Sequence, residues 1–248
     1  MKKYSTIIFD LFDTIVNFNF NHLPTIELKG LRSRTTSTEV FEVFRQYYPD
    51  IEFEKFYDPF IESYHEFLEI KSIEHKEFPN RDRYFLMLDK MNLAPIDNMD
   101  LLIDQMVLAH MNGLASCVEF PETNKRTLEY VKFNGYRLAI VSNFDYAPTA
   151  YMLLEKFKIT NLFEQVIISE EVGWRKPNHI IFQTAVNKLK IRPQDALFVG
   201  DNYYADVVGS KALGMDTAWI NRKNQSEDTL DPKPDYIIKH LSELLNIV

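Results

Sequence analysis

One cysteine, seven glycines and no long apolar run set the first limits on this 248-residue chain. A single cysteine, Cys117, excludes an intrachain disulfide framework and fits a reducing compartment. No apolar stretch nears the ~18 residues that cross a bilayer, which speaks against a membrane partner or a membrane-spanning chain. The opening MKKYSTIIFDLFD reads as a strand, because its apolar run stops at Asp10, too early for a signal peptide. The expected location is therefore cytoplasmic. Basic residues are short as well: 28 Lys and Arg face 36 Asp and Glu, a net charge of −8. That balance argues against nucleic acid as a bulk partner, since phosphate backbones require basic surface. What is present is apolar material, 46% hydrophobic and 14% aromatic, enough for a sizeable core and too much for a disordered chain.

The scarce glycines are uneven. Gly135, Gly173, Gly200, Gly209 and Gly214 all follow residue 134. Charge is uneven too: residues 17–117 hold 10 Lys/Arg and 17 Asp/Glu, so nearly all the net negative charge lies there. No internal repeat or low-complexity tract is visible, and SEDTLDPKPD (226–235) is the most loop-like segment. Short β-branched runs predict strands at 6–9, 138–141, 166–168, 196–199, 217–220 and 236–238. Helical patterns lie between those that follow residue 120. Asn134-Gly135 is a helix stop, and Pro177 predicts the opening of a helix on which Ile181, Ala185 and Leu189 share a face. Strands apolar throughout, alternating with helices, imply an α/β fold: a doubly wound, mainly parallel sheet of five or six strands. Residues 36–117 read instead as about four amphipathic helices. The expected organisation is an α/β core over 1–16 and 118–248, with an all-helical insertion over 17–117.

In open α/β sheets ligands bind beyond the carboxyl ends of the strands. Those ends carry Asp10-Leu11-Phe12-Asp13-Thr14, Ser142-Asn143-Phe144-Asp145, Trp174-Arg175-Lys176-Pro177 and Gly200-Asp201-Asn202-Tyr203-Tyr204-Ala205-Asp206. Several carboxylates, a hydroxyl, an amide and a lysine thus converge on one edge. Such a set suits phosphoryl transfer or a related displacement. A carboxylate can be a covalent nucleophile, carboxylates with open positions bind Mg²⁺, and a lysine holds charge at a point. Each piece alone also has a plain structural explanation, as turn residue, helix entry, N-cap or first-turn acid. Four of them on successive strand ends are harder to produce by chance.

The segments IIFDLFDTIV, IVSNFD, RKP and FVGDNYYADVVGSKALGM resemble, in order and spacing, the four motifs of the haloacid dehalogenase superfamily. The inserted segment resembles the helical cap of its phosphoglycolate phosphatase and 2-haloacid dehalogenase branch. The resemblance implies a Mg²⁺-dependent hydrolase of a small phosphorylated metabolite, acting through an aspartyl-phosphate. Asp10 is then the nucleophile, Ser142 and Lys176 the catalytic partners, and Asn143 and Thr14 further substrate-side residues. Mg²⁺ is implied on Asp10, the Phe12 backbone carbonyl and Asp201, with Asp206 in support. One position departs from the pattern. The family's phosphatases carry a second aspartate, a general acid and base, where this chain has Phe12. Asp13 follows it, and a one-residue shift in extended chain turns the side chain away. An aromatic at this position matches the dehalogenases, which lack the metal motif kept here. Metal-independent displacement at the carbon of a 2-haloacid and a catalytically weak phosphoryl-binding module therefore stand beside the phosphatase expectation.

Other residues read more plainly. Arg32, Arg34, Arg81 and Arg83, with His22, His65 and His75, are expected on solvated helix faces. The stripe Phe53, Phe56, Tyr57, Phe60, Tyr64, Phe67 is expected to be core, and Cys117 a small buried hydrophobe.

Overall fold

The computed structural model of the chain describes residues 3–248, which divide into two compact units. The first comprises the chain up to Phe18, His75–Glu77 and Glu119–Val248. Its centre is a six-stranded sheet of β1 (Thr6–Phe9), β2 (Arg137–Ser142), β3 (Gln165–Ile168), β4 (Ala196–Gly200), β5 (Asp216–Ile220) and β6 (Tyr236–Ile238). The order is β6-β5-β4-β1-β2-β3, with every described pairing parallel. All residues of β1 and β4 are buried, as expected for strands covered on both faces. On one face Ile8, Ala139, Val141 and Phe198 pack with Ile181, Ala185 and Leu189 of helix His179–Leu189. That helix starts two residues later than the sequence suggested. Asn178 is its N-cap and accepts the Ile180 N–H at 2.9 Å, so Pro177 lies just before the helix. Helix Glu122–Phe133 ends as expected: Gly135 takes φ 78°, and the Gly135 and Tyr136 amides bond back to Lys132 and Val131.

The second unit, Asn19–Glu74 and Phe78–Val118, carries helices Ser37–Phe44, Phe53–Glu74, Asn80–Met91 and Met99–Ser116. Phe56 and Phe60 are buried among aromatic neighbours, so the middle of the stripe is core; Phe53, Tyr57 and Phe67 are half-buried and Tyr64 is exposed. Cys117 is buried, its Sγ directed to the Gly113 carbonyl. Three expectations need correction. The insertion is not all helical: Thr25–Leu28 and Leu31–Arg34 form an antiparallel hairpin. Lys29 and Gly30, at φ 51° and 75°, make its two-residue turn; Thr25–Leu28 alternates polar and apolar residues, but Leu31–Arg34 does not, and no residue of either strand is buried. Nor is the insertion unbroken over 17–117, because His75–Glu77 belongs to the α/β unit. Finally, Arg83 is buried rather than solvated. Its guanidinium donates to the Phe60 carbonyl at 3.0 Å and lies over the rings of Phe60, Tyr64 and Tyr84. Among the described residues no helix is long and apolar enough to cross a membrane.

Candidate active site

The sheet changes direction at β1, which is flanked by β2 on one side and β4 on the other. The crevice beyond the strand ends at such a point is where open α/β sheets bind ligands. Asp10 is the first residue past β1, fixed by its amide to the Val199 carbonyl of β4 at 2.9 Å. It is 7% exposed. Lys176 lies on the segment after β3, and its buried ammonium bridges Asp10 Oδ1 and Asp206 Oδ1, each at 2.7 Å. Asp10 Oδ2 carries no hydrogen bond from the described residues. Asp201 completes the set: the carboxylates of Asp10, Asp201 and Asp206 lie within 4.8 Å of one another.

Local backbone explains how β4 delivers two of these acids. Asn202 caps the turn of helix Tyr203–Val208 by accepting the Ala205 N–H, and the Asn202 amide donates to Asp206 Oδ2 at 2.9 Å. The Asp206 carboxylate therefore folds back over the strand end. A Cβ on Gly200 would sit 2.3 Å from Asp206 Oδ2, so only glycine allows this approach. Gly209 does the same for the lysine segment, where a Cβ would meet Phe182 at 2.5 Å and Pro177 Cα at 2.9 Å.

Three carboxylates around one ammonium leave the site over-supplied with negative charge. Burial, then the charges of Asp10, Asp206 and Asp13, push the Asp201 carboxyl up to about 8. Burial also pushes Asp206 up to about 6, with Lys176 partly offsetting the rise and Asp10 adding to it. Burial alone would lower Lys176, but Asp10 and Asp206 outweigh it and hold the ammonium above its ordinary range. A hard divalent cation fits this donor set: oxygen ligands, close together and short of positive charge.

The remaining expected residues divide by what they touch. Ser142 ends β2 beside β1 and is fully buried, and its hydroxyl has no partner among the described residues; Thr14 is in the same state. Orphaned buried hydroxyls of this kind are rare and call for a ligand or ordered water. Asn143, half-buried at the end of β2, is tied to the lysine loop. Its amide accepts the Lys176 N–H at 2.7 Å and donates to the Lys176 carbonyl at 2.9 Å, so it positions the lysine. Phe12 stacks with Phe18 at 4.9 Å and packs with Phe144 at 4.6 Å, forming an apolar wall. Asp13 adopts φ 55°, and its Oδ1 accepts the Phe18 N–H at 3.1 Å. Its carboxylate is thus already engaged, and its carbonyl accepts from Arg222. Sequence reasoning missed Arg222, which no motif marks. A cavity of about 530 Å³ adjoins the acid cluster, lined by Asp13, Asp201, Tyr203, Tyr204, Arg222 and Lys223 among others.

This geometry defines a hydrolase-type site of carboxylates and lysine on a doubly wound sheet. The family model for haloacid dehalogenase-like hydrolases matches residues 7–220, and the chain belongs to that family. Among curated relatives, a glyceraldehyde 3-phosphate phosphatase of Pyrococcus furiosus is 26% identical over 250 residues, spanning all of this chain and 94% of its own. The pyrophosphatase PpaX of Bacillus mycoides is 29% identical over 160 residues, 64% of this chain and 72% of its own. Among solved structures, a 2-haloacid dehalogenase of Pseudomonas syringae pv. Tomato superposes with a TM-score of 0.69 at 19% identity, covering 98% of this chain and 97% of that one. This last likeness concerns the fold.

Proposed function

We propose that the protein is a phosphatase of small phosphorylated metabolites that uses Mg²⁺ and an aspartyl-phosphate on Asp10. The observation that carries this reading is the bridge of Lys176 between Asp10 and Asp206 beside Asp201, on the strand ends of the switch point. The phosphatase names of the curated relatives point the same way.

The residues divide the work between them. Lys176 binds Asp10 Oδ1 and leaves Oδ2 as the nucleophilic oxygen. That oxygen forms a bond to phosphorus while the bond from phosphorus to the leaving oxygen breaks; the leaving oxygen takes its proton from water. A second water then attacks phosphorus, the bond to Asp10 breaks, and inorganic phosphate departs with Asp10 restored. Ser142 and Thr14 offer free hydroxyls to phosphoryl oxygens. Lys176 stabilises charge moving onto them. Asp10, Asp201 and the Phe12 carbonyl would hold Mg²⁺, with Asp206 in support, and the ion would offset repulsion between carboxylate and phosphate.

The direct test is to incubate the protein with an acyl or aryl phosphate and Mg²⁺, quench in acid and look for phosphate on the peptide that contains Asp10. Phosphorylation of any other residue, or its persistence in Asp10→Asn, would remove Asp10 from the mechanism. The Phe12 wall supports a second reading, metal-independent displacement of halide from a 2-haloacid. Chelation separates the two, since EDTA should abolish the first activity and spare the second.

A further inference from the structure

We propose that Glu77 is a positioning residue, which locks the loop that follows Ser142 to the loop that presents Lys176; this rests on the phosphatase reading of the site. Glu77 lies in a three-residue return of the inserted chain to the α/β unit, flanked on both sides by residues of the helical unit. His75, at φ 53°, ends helix Phe53–Glu74 and turns the chain into this return. The segment then pairs with the lysine loop in antiparallel fashion: Lys76 bridges Trp174, the Glu77 amide donates to the Gly173 carbonyl at 3.1 Å, and the Arg175 amide donates to the His75 carbonyl at 3.0 Å. Lys176 is the next residue.

The side chain reaches the other loop. Glu77 is buried, and its Oε2 accepts the Ser169 hydroxyl at 2.6 Å. Ser169 Oγ in turn accepts the Phe144 N–H at 2.9 Å. Its one proton has two acceptors, Glu77 at 2.6 Å and the Phe144 carbonyl at 3.2 Å. A carboxylate is an acceptor only and makes the shorter, stronger bond, so it fixes the hydroxyl with a lone pair toward Phe144. The Glu77 Oε1 edge faces the Arg175 guanidinium at 3.8 Å. One acid therefore joins the 143–145 loop, directly after Ser142, and the 173–176 loop, which Asn143 already ties to each other at the Lys176 backbone. A buried carboxylate is expensive to retain for stability alone. Its position here serves two loops whose side chains must meet the same phosphoryl group.

The test compares Glu77→Ala, Glu77→Gln and wild type, all as the full chain, by thermal melt, kinetics on an aryl phosphate and hydrogen exchange at the Phe144 and Lys176 amides. Misplacing a binding group by about 1 Å costs up to about 100-fold, so Glu77→Ala should lower kcat by roughly 10- to 100-fold with KM little changed. Glu77→Gln keeps an acceptor for Ser169 and should restore most of kcat and of the Phe144 protection. Melts run beside the assays separate lost fold from lost positioning, since a purely structural role lowers Tm and leaves kcat per folded molecule intact. Unchanged exchange at Phe144 in a folded Glu77→Ala protein overturns the proposal, as does a kcat within twofold of wild type. If wild type hydrolyses no phosphate ester, the functional reading fails by itself. Exchange at Phe144, with the affinity for inorganic phosphate, then still decides whether Glu77 orders the two loops.

Discussion

Phe12→Asp probes the point where this chain leaves its family's phosphatase pattern. A general acid at this position protonates the departing oxygen and is worth about 10²–10⁴ in rate, or roughly 3–5 kcal/mol. That help matters for alkoxide leaving groups and hardly at all for aryl or acyl groups, which leave as stable anions. Wild type should therefore favour aryl and acyl phosphates over alkyl phosphates, and its aspartyl-phosphate should hydrolyse slowly. Phe12→Asp should raise alkyl phosphate turnover by at least tenfold and leave aryl turnover within a few-fold. The structure sets a counter-effect. Phe12 loses its contacts with Phe18 and Phe144, and each aromatic pair contributes about 0.5–1.5 kcal/mol beyond area burial. At ~2–4 °C per kcal/mol for a chain of this size, Tm should fall by roughly 3–10 °C, so rates must be compared well below the transition. Asp13 is the rival acid, but its Oδ1 already accepts the Phe18 amide, so Asp13→Asn should change alkyl turnover little. The assay is kcat/KM for matched aryl and alkyl monoesters in the three proteins. Good alkyl turnover by wild type, abolished in Asp13→Asn, would refute the reasoning about Phe12.

Three further outcomes follow from the site and the helical unit. Asp10→Asn should reduce hydrolysis by several orders of magnitude yet leave the metal-free Tm unchanged or higher, because Lys176 keeps Asp206 and one crowded carboxylate is gone; activity and a melt in EDTA check both. In EDTA, stability should fall as pH rises from about 4 to 8. Asp201 and Asp206 titrate higher in the folded than in the unfolded chain, so the native state holds the extra protons and loses their benefit as they ionise. Melts across that range should show the slope, Mg²⁺ should flatten it and raise Tm, and Asp201→Asn should remove most of it. Arg83→Ala should cost about 2–4 kcal/mol through lost ring contacts and an unpaired Phe60 carbonyl, while Arg81→Ala, whose partner Asp100 is 82% exposed, should stay within about 0.5 kcal/mol in denaturant titrations.

What the sequence disclosed follows how each element is specified. Strands buried on both faces, and helix His179–Leu189 with its single apolar face, are written in local periodicity, which one chain displays without help. Asp10, Lys176, Asp201 and Asp206 were legible because a parallel sheet brings its strand ends to one edge, so order along the chain becomes proximity in space. The failures share the opposite cause. Arg83 is buried because the Phe60 carbonyl and the rings of Phe60 and Tyr64, about twenty positions away on another helix, close over it together with Tyr84, a tertiary fact that the local sequence does not encode. Asn143 lies where expected, but its tie to the Lys176 backbone was not legible, because a side-chain amide at a strand end bonds whichever backbone comes opposite, and the sequence does not say which. Glu77 lies farther out of reach, in a return of the chain that breaks an otherwise contiguous insertion. Its partner Ser169 is 92 positions away, and neither residue belongs to a periodic face. Periodicity and strand order place the reacting groups in this molecule. The groups that hold them still come from side-chain contacts made only once the fold exists, and there a local reading of the chain stops.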